Sequence, residues 1–253
     1  MQKAYDKVEC QFKAIKRFPN ITDSSEEKRE EIMLENDMLQ AVETIRTKSK
    51  YTEQYFLKYD GVFRDAKDQN SLILQMESGH VSLQDILKAG KTYPLPELLH
   101  VHRKLTEGFS LLQENGIANR DVKPGNVILV ENPKVEGSFY FKISDFGIAC
   151  KVEKGISTVP AASIAGRTKE YAAPEVLLIK DETYDPFLAD VFSLGVMVLK
   201  MMDKKWTRKE INSKKFMLKE NLVGYEPLIE LLDGMLQEDP RNRWDFRKIL
   251  EFY

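Results

Sequence analysis

The strongest constraint on the fold is a pair of polar motifs that flank two short strand-like runs. The first motif, residues 119–126, reads Asn-Arg-Asp-Val-Lys-Pro-Gly-Asn, and the second is Asp145-Phe-Gly. The runs between them, 127–130 and 139–143, are separated by an Asn-Pro turn, which predicts a β-hairpin. A hairpin would bring Asn126 and Asp145 to the same edge, where their oxygens suit a Mg²⁺ ion held partly by substrate phosphates.

Composition limits the classes of protein that remain. The 253 residues are enough for one large domain or two closely packed lobes, and a hydrophobic content of 42% supplies a core. Thirty-eight basic residues against forty acidic ones give a net charge of −2, which argues against a general nucleic-acid binder. The longest apolar run, 191–199, is too short to cross a bilayer, so we expect no membrane segment.

The number of cysteines indicates the kind of cellular compartment in which the protein occurs. Two cysteines, Cys10 and Cys150, are too few for a disulfide scaffold or for a four-thiolate zinc site. We expect both thiols to be reduced, which favours an intracellular protein, cytoplasmic or nuclear.

The hydrophobic patterns differ between the two ends of the chain. Strands are predicted at 12–18, 51–59 and 72–76, with one helix between the first two that begins after Ser24, where Ser24 and Glu27 have capping-box spacing. Further along, helices are predicted at 94–113, 190–202 and 226–237. The fold class is therefore α+β, with a small β-rich lobe followed by a larger helical lobe.

One face of the first helix carries a carboxylate among apolar side chains. Ile32, Glu35, Leu39 and Val42 recur at steps of three and four residues, so they share that face. A charge on a core-facing stripe is costly unless it is paired. Lys16 shares one face of the first strand with Phe12, Ala14 and Phe18, so it is the nearest candidate cation in need of an anion. We expect it to pair with Glu35. A solvated position at the edge of the stripe is the alternative for Glu35.

A third motif, Ala173-Pro-Glu175, completes a recognisable set. Together with Lys13-Ala-Ile-Lys16 and the two motifs above, it resembles the signature of eukaryotic protein kinase catalytic domains, in the family's order and spacing. The resemblance extends from about residue 3 to residue 253. It implies a two-lobed kinase-like fold, with an N-lobe over 1–78 and a C-lobe over 79–253. The implied activity is transfer of the γ-phosphate of ATP, with Mg²⁺, to protein substrates.

The resemblance also implies a role for each catalytic position. Asp121 resembles the residue that accepts the proton of the substrate hydroxyl, and Lys123 would stabilise the γ-phosphate. Thr168 matches the threonine that contacts both of them. Asn126 and Asp145 would hold Mg²⁺.

Nucleotide-binding positions follow in the same way. Lys16 resembles the lysine that pairs with the α- and β-phosphates, and Glu35 resembles its partner on the helix. The positions implied for adenine are Ala14 and Ile128 as an apolar sandwich, Met76 as the gatekeeper, and Glu77 to Gly79 as the hinge.

Substrate class and regulation are implied by smaller features. Lys123 followed by Pro124, together with Thr168, resembles the serine/threonine-specific branch and not the tyrosine-specific branch. Arg120 matches an arginine that often receives an activation-loop phosphate, so an upstream activating kinase is an implied partner. Ser163 sits where that phosphosite usually falls. Ser157 and Thr158 are alternatives, and a plain polar loop residue is another.

Three further positions resemble residues that support the family's fold. Asp190 resembles the aspartate that anchors the catalytic loop, and Glu175 and Arg243 resemble a buried structural ion pair.

The chain departs from the family's pattern near its start. No glycine precedes Gly61, although the family places a glycine-rich loop before the lysine that corresponds to Lys16. We expect that the sequence is a fragment; a protein that lacks the loop is the alternative, and a weakly active or inactive scaffold would then be the rival function. A small-molecule phosphotransferase is a third class, disfavoured by Ala173-Pro-Glu175 and by the pair Lys123-Pro124. Asn119 also replaces the usual histidine or tyrosine, which predicts a weaker stack under Phe146.

Overall fold

The computed structural model describes residues 2–6, 9, 11–21, 24–160, 168–178, 183–203, 205–214 and 223–253. Two compact units make up the chain. The first contains Met1–Val81 and Ile128–Gly147, and the second contains Ser82–Val127 and Ile148–Tyr253.

An antiparallel sheet of four strands forms the base of the first unit. Its strands are β1 (Gln2–Asp6), β2 (Gln11–Phe18), β3 (Tyr59–Asp65) and β4 (Asp68–Glu77), in the order β1-β2-β4-β3. Two of the predicted strands, 12–18 and 72–76, are confirmed as β2 and β4. The register places Ala14 opposite Met76 and Lys16 opposite Leu74.

Helix α1 (Glu26–Arg46) packs beside β3. Ile32, Leu39 and Val42 are buried along one of its faces, as the periodicity predicts. The N-cap is Ser25, whose hydroxyl accepts a hydrogen bond from the backbone N–H of Lys28, so the predicted cap at Ser24 is wrong by one residue. The hydroxyl of Ser24 instead donates to the carbonyl of Asn20 at 2.6 Å.

The predicted strand over 51–59 is also wrong. Residues Thr52–Gln54 form a 3₁₀-helix, and only Tyr59 begins a strand. The hydroxyl of Thr52 donates to the carbonyls of Ser49 and Arg46, at 2.7 and 2.8 Å. These side-chain bonds stabilise a turn where the aromatic residues suggested an extended chain.

The predicted hairpin is present as β7 (Val127–Glu131) and β8 (Phe139–Ile143), which are neighbours in one sheet. The predicted boundary between an N-lobe over 1–78 and a C-lobe over 79–253 places residues 128–147 in the C-lobe. In the structure, these residues group with the first unit. The physical reason is a backbone link between β8 and the turn after α1. Ile143 donates to the carbonyl of Tyr55 at 2.7 Å, and Leu57 donates to the carbonyl of Ile143 at 3.3 Å.

The second unit is mainly helical. Its longer helices are α3 (Leu95–Glu114), α5 (Pro186–Met202) and α7 (Leu228–Met235), which correspond to the three predicted helices. Its shorter elements are α2 (Leu83–Lys88), β6 (Ile117–Ala118), β9 (Cys150–Lys151), β10 (Val159–Pro160), α4 (Pro174–Leu178), β11 (Thr183–Tyr184), α6 (Arg208–Asn212) and α8 (Phe246–Glu251). One residue of β5 (Val81–Ser82) belongs to each unit.

Helix α5 is buried along nearly its whole length and forms the centre of this unit. It begins before the predicted residue 190, because Asp185 caps it and Pro186 occupies its first turn. Helix α3 contacts both α5 and α8, and the rings of Phe109 and Phe246 stack with centroids 5.7 Å apart. Within the described ranges, no helix has the length and apolarity needed to span a membrane.

Candidate active site

Three polar side chains of the second unit form a closed hydrogen-bonded triangle. Lys123 Nζ lies 2.5 Å from Asp121 Oδ2 and 3.1 Å from Thr168 Oγ1. Thr168 Oγ1 in turn donates to Asp121 Oδ1 at 3.1 Å. The three positions that the sequence singled out for catalysis are therefore in contact, although Thr168 lies far from the other two along the chain.

Asn126 joins this triangle from the end of a 3₁₀-helix, Pro124–Asn126. Its Nδ2 donates to the carbonyl oxygen and to Oδ2 of Asp121, at 2.9 and 3.0 Å. The amide oxygen, which is the atom that a cation would need, is therefore turned away from Asp121. This orientation is compatible with the predicted role of Asn126 as an oxygen ligand of Mg²⁺.

A buried carboxylate holds the backbone of the same loop. Asp190, which is 3% exposed, accepts hydrogen bonds from the N–H groups of Asn119 and Arg120 at 2.8 and 2.9 Å. Arg120 has a φ of 67°, a conformation that a non-glycine residue adopts only where its surroundings impose it. The predicted anchoring contact from Asp190 is present.

Asn119 has a function that the sequence interpretation missed. It is 1% exposed, and its Oδ1 accepts the N–H of Asp121 at 3.2 Å. Asparagine side chains commonly accept a hydrogen bond from the backbone N–H two residues further on and so stabilise a turn. This tendency of asparagine could have predicted the contact from the sequence.

In the first unit, Lys16 of β2 and Glu35 of α1 form the predicted ion pair. Lys16 Nζ lies 2.7 and 2.8 Å from the two carboxylate oxygens of Glu35. The side chain of Glu35 is only 9% exposed, so the pair compensates for a carboxylate that faces the core. The alternative of a solvated edge position for Glu35 is wrong.

The Asp145-Phe-Gly segment lies next to Glu35. A Cβ atom placed on Gly147 would be 3.5 Å from the Glu35 carboxylate and 3.3 Å from Asp145 Oδ1. Asp145 is exposed and has a left-handed backbone, with a φ of 61°. Phe146 is buried instead, and its ring centroid lies 6.5 Å from that of Phe56.

The remaining predicted pair, Glu175 and Arg243, is present in the second unit. Arg243 Nη1 lies 2.6 Å from Glu175 Oε1, and Nη2 lies 3.0 Å from Oε2. The Arg243 side chain is fully buried and also donates to the carbonyls of Leu188 and Gln237. This bidentate geometry is a strong form of arginine–carboxylate ion pair.

Comparison with known proteins agrees with this arrangement of residues. The family model described as "Protein kinase domain" matches residues 1–252. The chain belongs to the protein kinase domain family. Family membership and the two-unit α+β architecture confirm the kinase-like fold class expected from the motifs.

Several kinases with curated names are similar to this kinase domain. Serine/threonine-protein kinase STY46 of Arabidopsis thaliana is 30% identical over 181 residues, which cover 67% of this chain and 29% of that protein. Mitogen-activated protein kinase kinase kinase 3 of Arabidopsis thaliana is 30% identical over 149 residues, covering 59% and 21%. Serine/threonine-protein kinase pakH of Dictyostelium discoideum is 26% identical over 236 residues, covering 87% and 42%. The chain thus spans less than half the length of these relatives.

The positions predicted for adenine form two close pairs in the first unit of the kinase domain, Ala14 with Met76 and Gly79 with Ile128. Ala14 and Met76 are buried and directly opposite each other on β2 and β4. A Cβ atom on Gly79 would be only 2.0 Å from Ile128 Cγ2, so Gly79 allows close contact with β7. The backbone N–H of the following residue, His80, donates to the carbonyl oxygen of Leu129 at 2.8 Å.

The side chain of Glu77 has contacts that the sequence did not predict. Its carboxylate lies 3.0 and 2.8 Å from Lys142 Nζ and accepts the backbone N–H of Lys58 at 3.0 Å. Glu77 and Lys142 are 65 positions apart, and no local pattern links them. The hinge role proposed for residues 77–79 concerns backbone groups and stays a prediction.

The regulatory assignments stay predictions. Ser163 lies outside the described residues, whereas the alternatives Ser157 and Thr158 are exposed. No cluster of three or more His, Cys, Asp or Glu side chains suited to a metal ion occurs in the part of the chain that the structure describes.

Proposed function

We propose that this kinase domain transfers the γ-phosphate of ATP to serine and threonine hydroxyl groups of protein substrates. The observation that carries the proposal is the triangle formed by Asp121, Lys123 and Thr168. It unites a carboxylate suited to orienting the nucleophile with an ammonium group suited to neutralising charge, and the Thr168 hydroxyl contacts both.

In the proposed reaction, Asp121 accepts the proton of the substrate hydroxyl as its oxygen attacks the γ-phosphorus atom. The bond between that phosphorus and the oxygen bridging the β- and γ-phosphates breaks, and ADP leaves with the electron pair. Lys123 sits within ion-pairing distance of Asp121 and would neutralise charge on the transferring phosphoryl group. Most of the rate enhancement comes from this positioning.

Nucleotide and metal would be held by the remaining predicted residues. Lys16, fixed in place by Glu35, would bind the α- and β-phosphates. Asn126 and Asp145 would supply oxygen ligands to Mg²⁺, a hard cation that prefers such donors. When bound, Mg²⁺ supplies positive charge that neutralises the phosphate oxygens.

The choice of serine and threonine rests on two features. Thr168 contacts both Asp121 and Lys123, and Lys123 precedes Pro124, as the resemblance to the serine/threonine-specific branch requires. The printed names of two similar proteins, STY46 and pakH, describe serine/threonine-protein kinases.

The acceptor class can be tested with matched peptide libraries. The chain is incubated with radiolabelled ATP, Mg²⁺ and libraries that differ only in the central residue, which is serine, threonine or tyrosine. We expect label on the serine and threonine libraries at least about tenfold above the tyrosine library. Preferential labelling of tyrosine would contradict the proposed acceptor class.

A further inference from the structure

A cavity of about 300 Å³ lies in the second unit, and Asp121, Lys123 and Thr168 are not among the residues that line it. Pro174, Phe192, Ile211 and Leu236 form its apolar floor. Three of these side chains, those of Phe192, Ile211 and Leu236, are almost completely buried. The cavity is therefore an apolar pocket built into the helical core, next to the Ala173-Pro-Glu175 motif.

The floor of this pocket is held rigidly by its neighbours. The guanidinium of Arg243 lies 5.0 Å from the ring centroid of Phe192 and is fixed by its ion pair with Glu175. On α5, a Cβ atom on Gly195 would be 2.9 Å from Leu236 Cδ2, which shows how closely Leu236 packs against that helix. Phe192 and Leu236 are therefore held in place by their neighbours, which lowers the cost of ordering this part of the pocket on binding.

The rim of the pocket is polar and acidic. Lys214 contributes an ammonium group, but Asp233 neutralises it at a distance of 2.5 Å. Glu238 is exposed at the rim, and its carboxylate has no ion-pair partner among the side chains that the structure describes. Among the described residues of the rim, the uncompensated charge is therefore negative.

We propose that this pocket is a docking site for a segment of a partner protein that carries one large apolar side chain beside a lysine or arginine. The volume lies at the lower limit of small-molecule pockets and suits a single anchoring side chain. The carboxylate of Glu238 selects a basic neighbour, because opposite charges across an interface favour the matching partner. This binding goes beyond the proposed phosphoryl transfer and does not depend on it.

Binding can be measured directly by fluorescence anisotropy, with the full chain and no nucleotide. The probes are two pools of labelled dodecapeptides with a central leucine or phenylalanine, flanked by lysine in the basic pool and by glutamate in the acidic pool. The chain should bind the basic pool about tenfold more tightly than the acidic pool. If neither pool binds, or if the acidic pool binds more tightly, the proposal is overturned.

Two variants test the location of the site. Ser213→Trp, at an exposed position on the rim, should block the mouth and weaken binding of the basic pool by about tenfold or more. Ile156→Trp adds the same side chain at an exposed position outside the pocket and should leave binding unchanged. Equal binding by the chain and Ser213→Trp would contradict the proposed location.

Charge selection is tested by Glu238→Lys, which should reverse the preference toward the acidic pool. An unchanged preference would overturn the assigned role of Glu238. A dimer detected by sedimentation and lost in Ser213→Trp would make a second copy the occupant and would also overturn the proposal. Because Asp121→Asn should leave peptide binding intact, failure of this proposal is distinguishable from failure of the proposed catalysis.

Discussion

Single side chains fix the backbone that carries Asp121. The two oxygens of Asp190 accept N–H groups of residues 119 and 120, and Asn119 Oδ1 accepts the N–H of Asp121. Arg120 adopts a left-handed conformation between these bonds. The position of the Asp121 carboxylate therefore depends on buried hydrogen bonds that no regular element supplies.

Replacing Asn119 tests this dependence. Asn119→Ala removes the acceptor for the N–H of Asp121, so we expect the transfer rate to fall about tenfold and the free energy of unfolding to fall by about 1 kcal/mol. Nucleotide affinity should not change. The control Asn115→Ala removes an exposed amide that bonds the carbonyl of Leu111 at the end of α3. Equal transfer rates in both variants would show that Asn119 does not position Asp121.

His102 provides a pH-dependent contribution to stability. Burial lowers the pKa of His102 from 6.5 to about 3, and its Nδ1 lies 2.5 Å from the hydroxyl of Tyr253. Between these two pH values the unfolded chain binds a proton at His102 that the folded chain does not bind. The free energy of unfolding should therefore decrease by about 1.4 kcal/mol for each pH unit below the unfolded pKa.

Urea unfolding of variants at neutral and mildly acidic pH isolates this contribution. His102→Gln should lose this part of the pH dependence, whatever its stability at neutral pH. His100→Gln, at an exposed position on the same helix, should keep it. Parallel pH profiles for the chain and His102→Gln would contradict the assignment.

At the scale of elements, β2 and α1 are joined by one ion pair in the first unit. Lys16→Met leaves the nearly buried carboxylate of Glu35 without its cation. We expect phosphoryl transfer to be lost and the free energy of unfolding to fall by about 1 kcal/mol, a modest figure because Lys16 is partly exposed.

A double variant separates the two effects. Lys16→Met with Glu35→Gln removes both charges, so stability measured by urea unfolding should recover. Phosphoryl transfer should not recover, because the group proposed to bind the phosphates is still absent. Recovery of transfer in the double variant would contradict the role proposed for Lys16.

Sequence patterns predicted the elements that depend on hydrophobic periodicity. The strands β2 and β4, the hairpin of β7 and β8, and the helices α3 and α5 follow from alternating or helical spacing of apolar residues. The prediction of a strand over 51–59 was wrong because the hydroxyl of Thr52 donates to two carbonyl oxygens and stabilises a turn. Such local competition is invisible to a count of β-favouring residues.

At the scale of the whole molecule, contacts between residues far apart in the sequence limit how much of the structure can be predicted. The pairs Lys16–Glu35 and Glu175–Arg243 could be predicted, the first because a core-facing charge needs a partner and the second from the family resemblance. The Glu77–Lys142 pair and the grouping of residues 128–147 with the first unit could not. They depend on how β8 meets the turn after α1, which no periodicity encodes.

We propose that Asp121 is the base of a phosphoryl transfer to protein hydroxyl groups. The most direct measurement compares the chain with Asp121→Asn, recording Mg²⁺-dependent transfer to a serine/threonine peptide library and the affinity for ATP on the same preparations. Transfer should fall by about a thousandfold or more, while ATP affinity changes by less than about threefold, because the role proposed for Asp121 is toward the acceptor hydroxyl and not toward the nucleotide. Transfer at an undiminished rate in Asp121→Asn would contradict the account.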